Sequence, residues 1–214
     1  MTAAAGVFVV FEGGDGVGKT TQVELLCSWL SRTGREVVRT FEPGDTRVGA
    51  MIRRIVLDPA TGEMSPRAEA LLYAADKAHH LFEVVRPALA RGAVVVCDRY
   101  VDSMLAYQGA GRVLDVPELE HIARWATEDL RPDLTVVLDV DPVRAVHELT
   151  EKDRLEAAGE EFHTAARHYF LELALRDPGR YLVLDARSSR AEIAAAVEER
   201  VREVLSAGSG TLDA

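Results

Sequence analysis

Residues 13–20 read Gly-Gly-Asp-Gly-Val-Gly-Lys-Thr, a spacing suited to holding phosphate groups. The glycines let the backbone curl so that successive N–H groups point at one anion. Lys19 can reach the β- and γ-phosphates, and the Thr20 hydroxyl can bind Mg²⁺. An apolar run, Val7 to Val10, precedes the loop and a helical pattern over 20–33 follows it. The loop therefore lies against a helix N-terminus, whose partial positive charge favours an anion. Strand, loop, lysine and helix in register predict a site for a nucleoside triphosphate with Mg²⁺, formed by Gly13, Gly14, Asp15, Gly16, Val17, Gly18, Lys19, Thr20 and Thr21. Asp15 does not suit an anion. Its carboxylate must point to solvent or to the hydroxyls of a second substrate.

Three further groups of residues suggest that second substrate. Glu42-Pro43-Gly44 follows one β-rich run, with Arg53 on the next helix. Asp98-Arg99-Tyr100 follows another and leads to Tyr107-Gln108-Gly109. Tyr73 and Lys77 are four residues apart and share a helix face. Arginines recognise phosphate in a planar, bidentate way, a tyrosine face stacks on a nucleobase, and a Gln amide can read a base edge. Singly, each has a plain alternative: a solvated face for Arg53 and Arg54, core packing for Tyr73, a local ion pair for Asp98 and Arg99. Together, beside a phosphate loop, they favour a nucleotide pocket.

The elements that must position these residues are legible as β-rich runs at 7–10, 37–41, 94–97, 135–138 and 181–184, separated by helical patterns at 20–33, 66–91, 116–129, 155–176 and 190–206. The long pattern at 66–91 carries Pro87, where a bend is expected. The runs are nearly continuous in apolar character, which predicts strands of a parallel sheet buried on both faces. Strand–helix alternation predicts right-handed crossovers and helices on both sides of the sheet. Ligands of such sheets lie at the carboxyl ends of the strands, where 12–20, 42–46, 98–104 and 141–156 all fall.

Composition narrows the function. The 214 residues carry a net charge of −10 and are 48% hydrophobic, so one packed α/β domain is expected over 1–206, with a disordered tail at 207–214. The negative charge argues against a nucleic-acid polymer as partner, because duplex binding needs a basic face. No stretch approaches a membrane span, and the start has no basic n-region. Cys27 and Cys97 have no partners at metal-ligand spacing and read as reduced core thiols of a cytoplasmic protein. No Asn-Lys-x-Asp guanine motif is present.

Over nearly its whole length, about 8–205, the sequence resembles bacterial thymidylate kinases. The resemblance rests on FEGGDGVGKTTQ, EPGDT, IRRIVLD, SPRAEALLYAADKAHH, VVVCDRYVDSMLAYQGAGR, RPDLTVVLDVDP and DRLEAAGEEFH. It implies a P-loop kinase fold with a five-stranded parallel sheet, helices on both faces and a short helical lid at about 143–156. It implies transfer of the ATP γ-phosphate to dTMP, with Mg²⁺, in a homodimer. Asp15 would bind the acceptor sugar, Glu42 would line the acceptor pocket, and Arg53 and Arg99 would bind the monophosphate. Tyr73 would stack on the pyrimidine, with Lys77 on a base carbonyl, Gln108 on the base edge, and Met104 and Tyr107 completing the pocket. Thr20 and Asp98 would support Mg²⁺. Asp15, Lys19, Arg99 and the lid's Arg154 would carry catalysis, and Glu156 matches the lid pattern.

The sequence departs from the family where Phe41 and Asp45 flank Glu-Pro-Gly, since the usual reading there is Arg-Glu-Pro-Gly-Gly. Lys77 stands where arginine is usual and Met104 where a small hydroxyl residue is usual. The lid offers only Arg144, Lys152 and Arg154 as cations. Two alternatives to dTMP kinase activity stay open on these grounds: a kinase for another or modified pyrimidine monophosphate, and a nucleotide-binding regulatory protein with little activity.

Overall fold

A computed structural model describes residues 6–110, 114–141 and 159–207. Five parallel strands form one sheet in the order β2-β3-β1-β4-β5. They are β1 (Val7–Gly13), β2 (Val37–Phe41), β3 (Val94–Asp98), β4 (Leu134–Asp139) and β5 (Tyr181–Asp185). The three central strands are almost wholly buried, as continuous apolar runs require. β2 and β5 are edge strands and are only partly buried, so burial on both faces holds for the centre of the sheet and not for its margins.

One face is covered by α1 (Lys19–Arg32) and α8 (Arg190–Ala207), which bring Val23, Leu26, Leu30, Ile193, Val197 and Val201 onto β1 and β4. The other face is covered by α3 (Pro66–His80), α6 (Val116–Thr127) and α7 (Glu160–Arg176). The helix expected to carry Arg53 is α2 (Arg47–Leu57), whereas the short α5 (Val101–Met104), which runs into a π-helical turn over Leu105–Ala110, was not legible as a separate element. The long pattern at 66–91 is interrupted by a π-helical turn at Leu81–Val85 before α4 (Arg86–Ala90). Pro87 lacks the N–H that would bond back to residue 83, and the ladder is re-formed by widening the turn just before it.

The chain crosses from β1 past β3 to β2, returns to β3, and then passes β1 to reach β4 on its other side. A crevice therefore opens at the carboxyl end of β1. Gly13 closes β1 at φ +129, and a Cβ there would meet the Leu138 carbonyl oxygen at 2.4 Å. Only glycine lets the loop leave the sheet this close to β4. The expected lid at 143–156, including Arg144, Lys152, Arg154 and Glu156, and the tail beyond 207 lie outside the described residues. No helix among the described residues is long and apolar enough to cross a membrane.

Leu30 is fully buried beneath α1, whereas Leu25 on the same helix is 39% exposed. Urea unfolding should therefore show Leu30→Ala losing about 2–5 kcal/mol and Leu25→Ala changing stability by no more than about 0.5 kcal/mol.

Candidate active site

A cavity of about 480 Å³ runs from the phosphate loop to α3, lined at one end by Gly16, Gly18, Lys19 and Thr20 and at the other by Arg53, Tyr73, Lys77 and Gln108. That volume suits a small organic ligand. The expected donor and acceptor halves thus share one space.

At the donor end, α1 begins directly after Gly18 with no side-chain cap and no acidic residue in its first turn. By contrast α2, α3 and α6 are capped by Thr46, Ser65 and Asp115. The first N–H groups of α1 are left to an anion. Lys19 is buried and folds back on the loop, donating from Nζ to the carbonyl oxygens of Gly13 and Gly14. Burial, aided by Arg99, pushes its pKa down to about 8 against the pull of Asp15 and Asp98. A bound polyanion would favour the charged form. Thr20 Oγ1 donates to Asp98 Oδ2 at 2.9 Å. This pairing of a hydroxyl and a carboxylate oxygen fits Mg²⁺, which takes few protein ligands and completes its shell with water and phosphate oxygens. No cluster of three or more His, Cys, Asp or Glu residues suited to a metal occurs among the described residues.

Arg99 joins the two halves. It follows β3 with φ 69, a strained value for a side chain other than glycine. Its Nη1 donates to the Gly13 carbonyl at 3.0 Å and to Ser103 Oγ at 2.9 Å, and its Nη2 donates to Asp15. Its guanidinium also lies 5.2 Å from the Tyr107 ring centre, and Tyr107 stacks on Phe162. Asp15 therefore points neither to solvent nor to phosphate but to Arg99. Burial would raise its pKa, and the cations of Arg99 and Lys19 outweigh this and lower it.

The sequence reading missed the residue that holds this turn. Glu12, fully buried at the end of β1, accepts from Tyr100 N at 2.8 Å, Ser103 N at 3.1 Å and Ser103 Oγ at 2.5 Å. Its signal was present as a lone acid in an apolar strand, which must find donors when buried. Burial, reinforced by the Asp102 carboxylate, raises its pKa to about 7 despite Arg99.

At the acceptor end, Tyr73 and Met104 are buried in the core cluster that forms the cavity wall. Gln108 Nε2 donates to Glu69 Oε1 at 3.1 Å, which fixes its amide. Lys77 is buried, and its Nζ donates to Glu42 Oε2 at 2.6 Å. Burial opposes the charge on both, yet the pair raises the Lys77 pKa and lowers that of Glu42. Arg53 Nη1 donates to the Pro43 carbonyl at 2.7 Å after a cis Glu42–Pro43 peptide, and its guanidinium lies 5.7 Å from the Phe41 ring centre. Gly44, at φ +120, leaves room for the Arg53 stem, which a Cβ would approach to 2.7 Å. Thr40 and His80, which complete the network around Glu42, were also missed. Of the expected residues, Arg154 and the other lid residues lie outside those described.

Glu12 predicts a pH effect. Below its ordinary value of 4.5 both folded and unfolded chains hold the proton. Between 4.5 and about 7 the unfolded chain loses it first, so this group makes stability fall as pH rises through that window and adds no slope above it. Urea titrations should show this part of the slope in the wild type and its loss in Glu12→Gln.

The family model described as thymidylate kinase matches residues 11–197. A thymidylate kinase of Cutibacterium acnes is 60% identical over 200 residues, covering 94% of this chain and 98% of that protein. One of Clavibacter michiganensis subsp. michiganensis is 54% identical over 208 residues, covering 95% and 98%. The crystal structure of thymidylate kinase from Ehrlichia chaffeensis superposes with a TM-score of 0.77 at 29% identity, covering 92% of this chain and 99% of that one. The phosphate loop, the Asp98-Arg99 turn and the pocket under α3 thus sit in a chain that belongs to the thymidylate kinase family.

Proposed function

We infer that the protein transfers the γ-phosphate of ATP to dTMP, giving dTDP and ADP. The observation that carries this reading is the single cavity, in which a phosphate loop faces a buried pocket of nucleoside size across Arg99. Family membership names the nucleotides. The presence of Asp15, Lys19, Arg99 and Arg154 also weighs against a regulatory protein without transfer activity. A kinase for another or modified pyrimidine monophosphate is the alternative, since Lys77 and Met104 differ from the residues usual in the family on the base-facing wall.

In this reading Lys19 and the α1 N-terminus hold the donor phosphates, and Thr20 with Asp98 would hold Mg²⁺. When bound, Mg²⁺ supplies charge neutralisation between the phosphates. Arg53 and Arg99 hold the acceptor phosphate. Arg99 uses three of its five N–H groups on Gly13, Ser103 and Asp15 and keeps others for an anion. Asp15, locked by Arg99, is placed to take a sugar hydroxyl. Tyr73 supplies a face for the base, Gln108 and Lys77 its polar contacts, and Met104 and Tyr107 the remaining wall. The acceptor oxygen is already anionic, so in-line attack on the γ-phosphorus needs no general base. The protein's task is to hold two anions together and keep water out. Arg154 of the lid is assigned to the developing charge on the transferred group.

We further assign one kinase domain over 1–206, a cytoplasmic location and a homodimer. The dimer reading is supported by apolar side chains left exposed on α2 and α3, among them Met51 at 53% and Leu71 at 56%. Such side chains in one region mark an interface more often than a free surface. Light scattering should give twice 23.4 kDa at micromolar concentration, and a stable monomer would remove this assignment.

Coupled ADP release against dTMP, dUMP, dCMP and dGMP tests the activity. Turnover should be highest with dTMP or another uracil-type monophosphate and negligible with dGMP. Lys19→Ala should abolish it while far-ultraviolet circular dichroism stays unchanged, because Lys19 acts on developing charge. Near-native turnover in that variant would refute the role of the loop.

A further inference from the structure

Two departures from the family pattern, Asp45 and Lys77, lie at the ends of one hydrogen-bonded chain. Asp45 Oδ2 accepts from Thr40 Oγ1 at 2.5 Å. The same hydroxyl oxygen lies 2.5 Å from His80 Nε2. His80 Nδ1 lies 2.7 Å from Glu42 Oε1, and Glu42 Oε2 accepts from Lys77 Nζ. Thr40, His80, Glu42 and Lys77 are all buried. Thr40, Glu42 and Lys77 line the cavity, whereas His80 and Asp45 stand behind them.

Counting hydrogens sets the state of this chain. A threonine hydroxyl has one hydrogen to donate, and an ionised carboxylate only accepts. Thr40 gives its hydrogen to Asp45, so the contact with Nε2 must be donated by the ring. Glu42 is held ionised by Lys77, so the contact with Nδ1 is donated by the ring as well. His80 therefore carries a hydrogen on both nitrogens. A residue without an acceptor at 45 would leave Thr40 free to donate to Nε2, and the ring would then need one hydrogen only. Asp76 is also packed around this site, its Oδ1 accepting from Gly44 N, and the buried Glu12 carboxyl acts on Lys77 as well.

We propose that His80 is a positioning residue for recognition of the acceptor base: doubly protonated and anchored through Thr40 to Asp45, it orients Glu42, and Glu42 aims the Lys77 ammonium at a base carbonyl. The proposal rests on the kinase reading above for the identity of the ligand. Glu42 is gripped on both oxygens, by His80 and by Lys77, and cannot swing. Lys77 spends one N–H on Glu42 and keeps two for the pocket. A free lysine is a point charge on a flexible stem and lacks the fork of an arginine. Buried and tied to a fixed carboxylate, it gains the direction that an arginine has by its shape. A fixed N–H donor here donates to the 4-carbonyl of thymine or uracil and finds no acceptor in the 4-amino group of cytosine. The relay should thus set preference for dTMP over dCMP and leave dTMP over dUMP untouched.

The test combines kinetics with ¹⁵N NMR of the histidine ring, the signal being assigned by its loss in His80→Leu or, if that chain does not fold, in His80→Asn. At pH 7 the wild-type His80 ring should show both nitrogens protonated, and Asp45→Ala, which has no side-chain acceptor for Thr40, should show one bare nitrogen. His80→Leu should raise the KM for dTMP by up to about 100-fold and collapse the dTMP-over-dCMP ratio of kcat/KM. The KM for ATP should change by less than about 3-fold. His80→Asn, which keeps a donor toward Glu42, should restore most of the ratio. A bare ring nitrogen in the wild type overturns the proposal, as does a folded His80→Leu with wild-type dTMP KM and dTMP-over-dCMP ratio. Should His80→Leu not fold, the ring spectra of wild type and Asp45→Ala decide, and an unchanged ring in Asp45→Ala counts against the proposal. A wild type inactive on every pyrimidine monophosphate would instead remove the kinase reading, while the ring spectra would still report on the relay.

Discussion

The Arg99 guanidinium is the contact on which the site depends. It leaves the end of β3 at a strained backbone angle and reaches the phosphate loop through the Gly13 carbonyl and Asp15, and α5 through Ser103. Glu12 holds the same turn from beneath by accepting two backbone N–H groups and the Ser103 hydroxyl. A single planar cation thus ties together the ends of β1 and β3 and the start of α5. Such geometry is costly in isolation and persists only because its surroundings over-determine it. Arginine suits this position, since five donors in a fixed fork can serve several acceptors at once.

The second constraint is electrostatic. A chain of net charge −10 must gather enough positive charge in one crevice to seat phosphates. It does so by burying cations beside carboxylates that are themselves committed. Arg99 is matched by Asp15 and Lys77 by Glu42. Lys19 differs: among the described residues its hydrogen bonds go to the carbonyl oxygens of its own loop, and burial lowers its pKa. A buried ammonium satisfied only by its own loop is prepared to exchange those contacts for an anion. The acidic surface elsewhere then has little effect inside the crevice, because screening weakens distant exposed charges more than buried pairs.

The acceptor end follows a different logic. Its wall joins apolar surface, from Tyr73 and Met104, to polar groups each held by a partner: Gln108 by Glu69 and Lys77 by Glu42. A base read by such a wall is discriminated by fixed donors more than by fit, because a ligand with the wrong edge leaves buried groups unsatisfied. Phe41 and Asp45, two departures from the family pattern, have structural partners here. Phe41 lies beside the Arg53 guanidinium, and Asp45 takes the Thr40 hydroxyl.

The sequence by itself determined the sheet, the phosphate loop and the residues that can meet a nucleotide. Each is a local signal: continuous apolar runs between helical periods, glycines at set spacing before Lys19 and Thr20, and aromatic and cationic residues just after strands. The short α5, the widened turn before Pro87 and the half-exposed edge strands were less legible, since each depends on what packs alongside. Only the tertiary structure decided the partners of the charged residues. Asp15 had two readings until the end of β3 was placed against the loop, and Lys77 read as a lone base contact until Glu42, thirty-five positions away, was brought beneath it. Glu12 stood out only as a lone acid in an apolar strand, with no partner named, and His80 looked like an ordinary member of a helix. Spacing along the chain says which groups can donate or accept, but pairing between distant segments is set by strand order and packing, and that is where burial turns a polar side chain into a committed one.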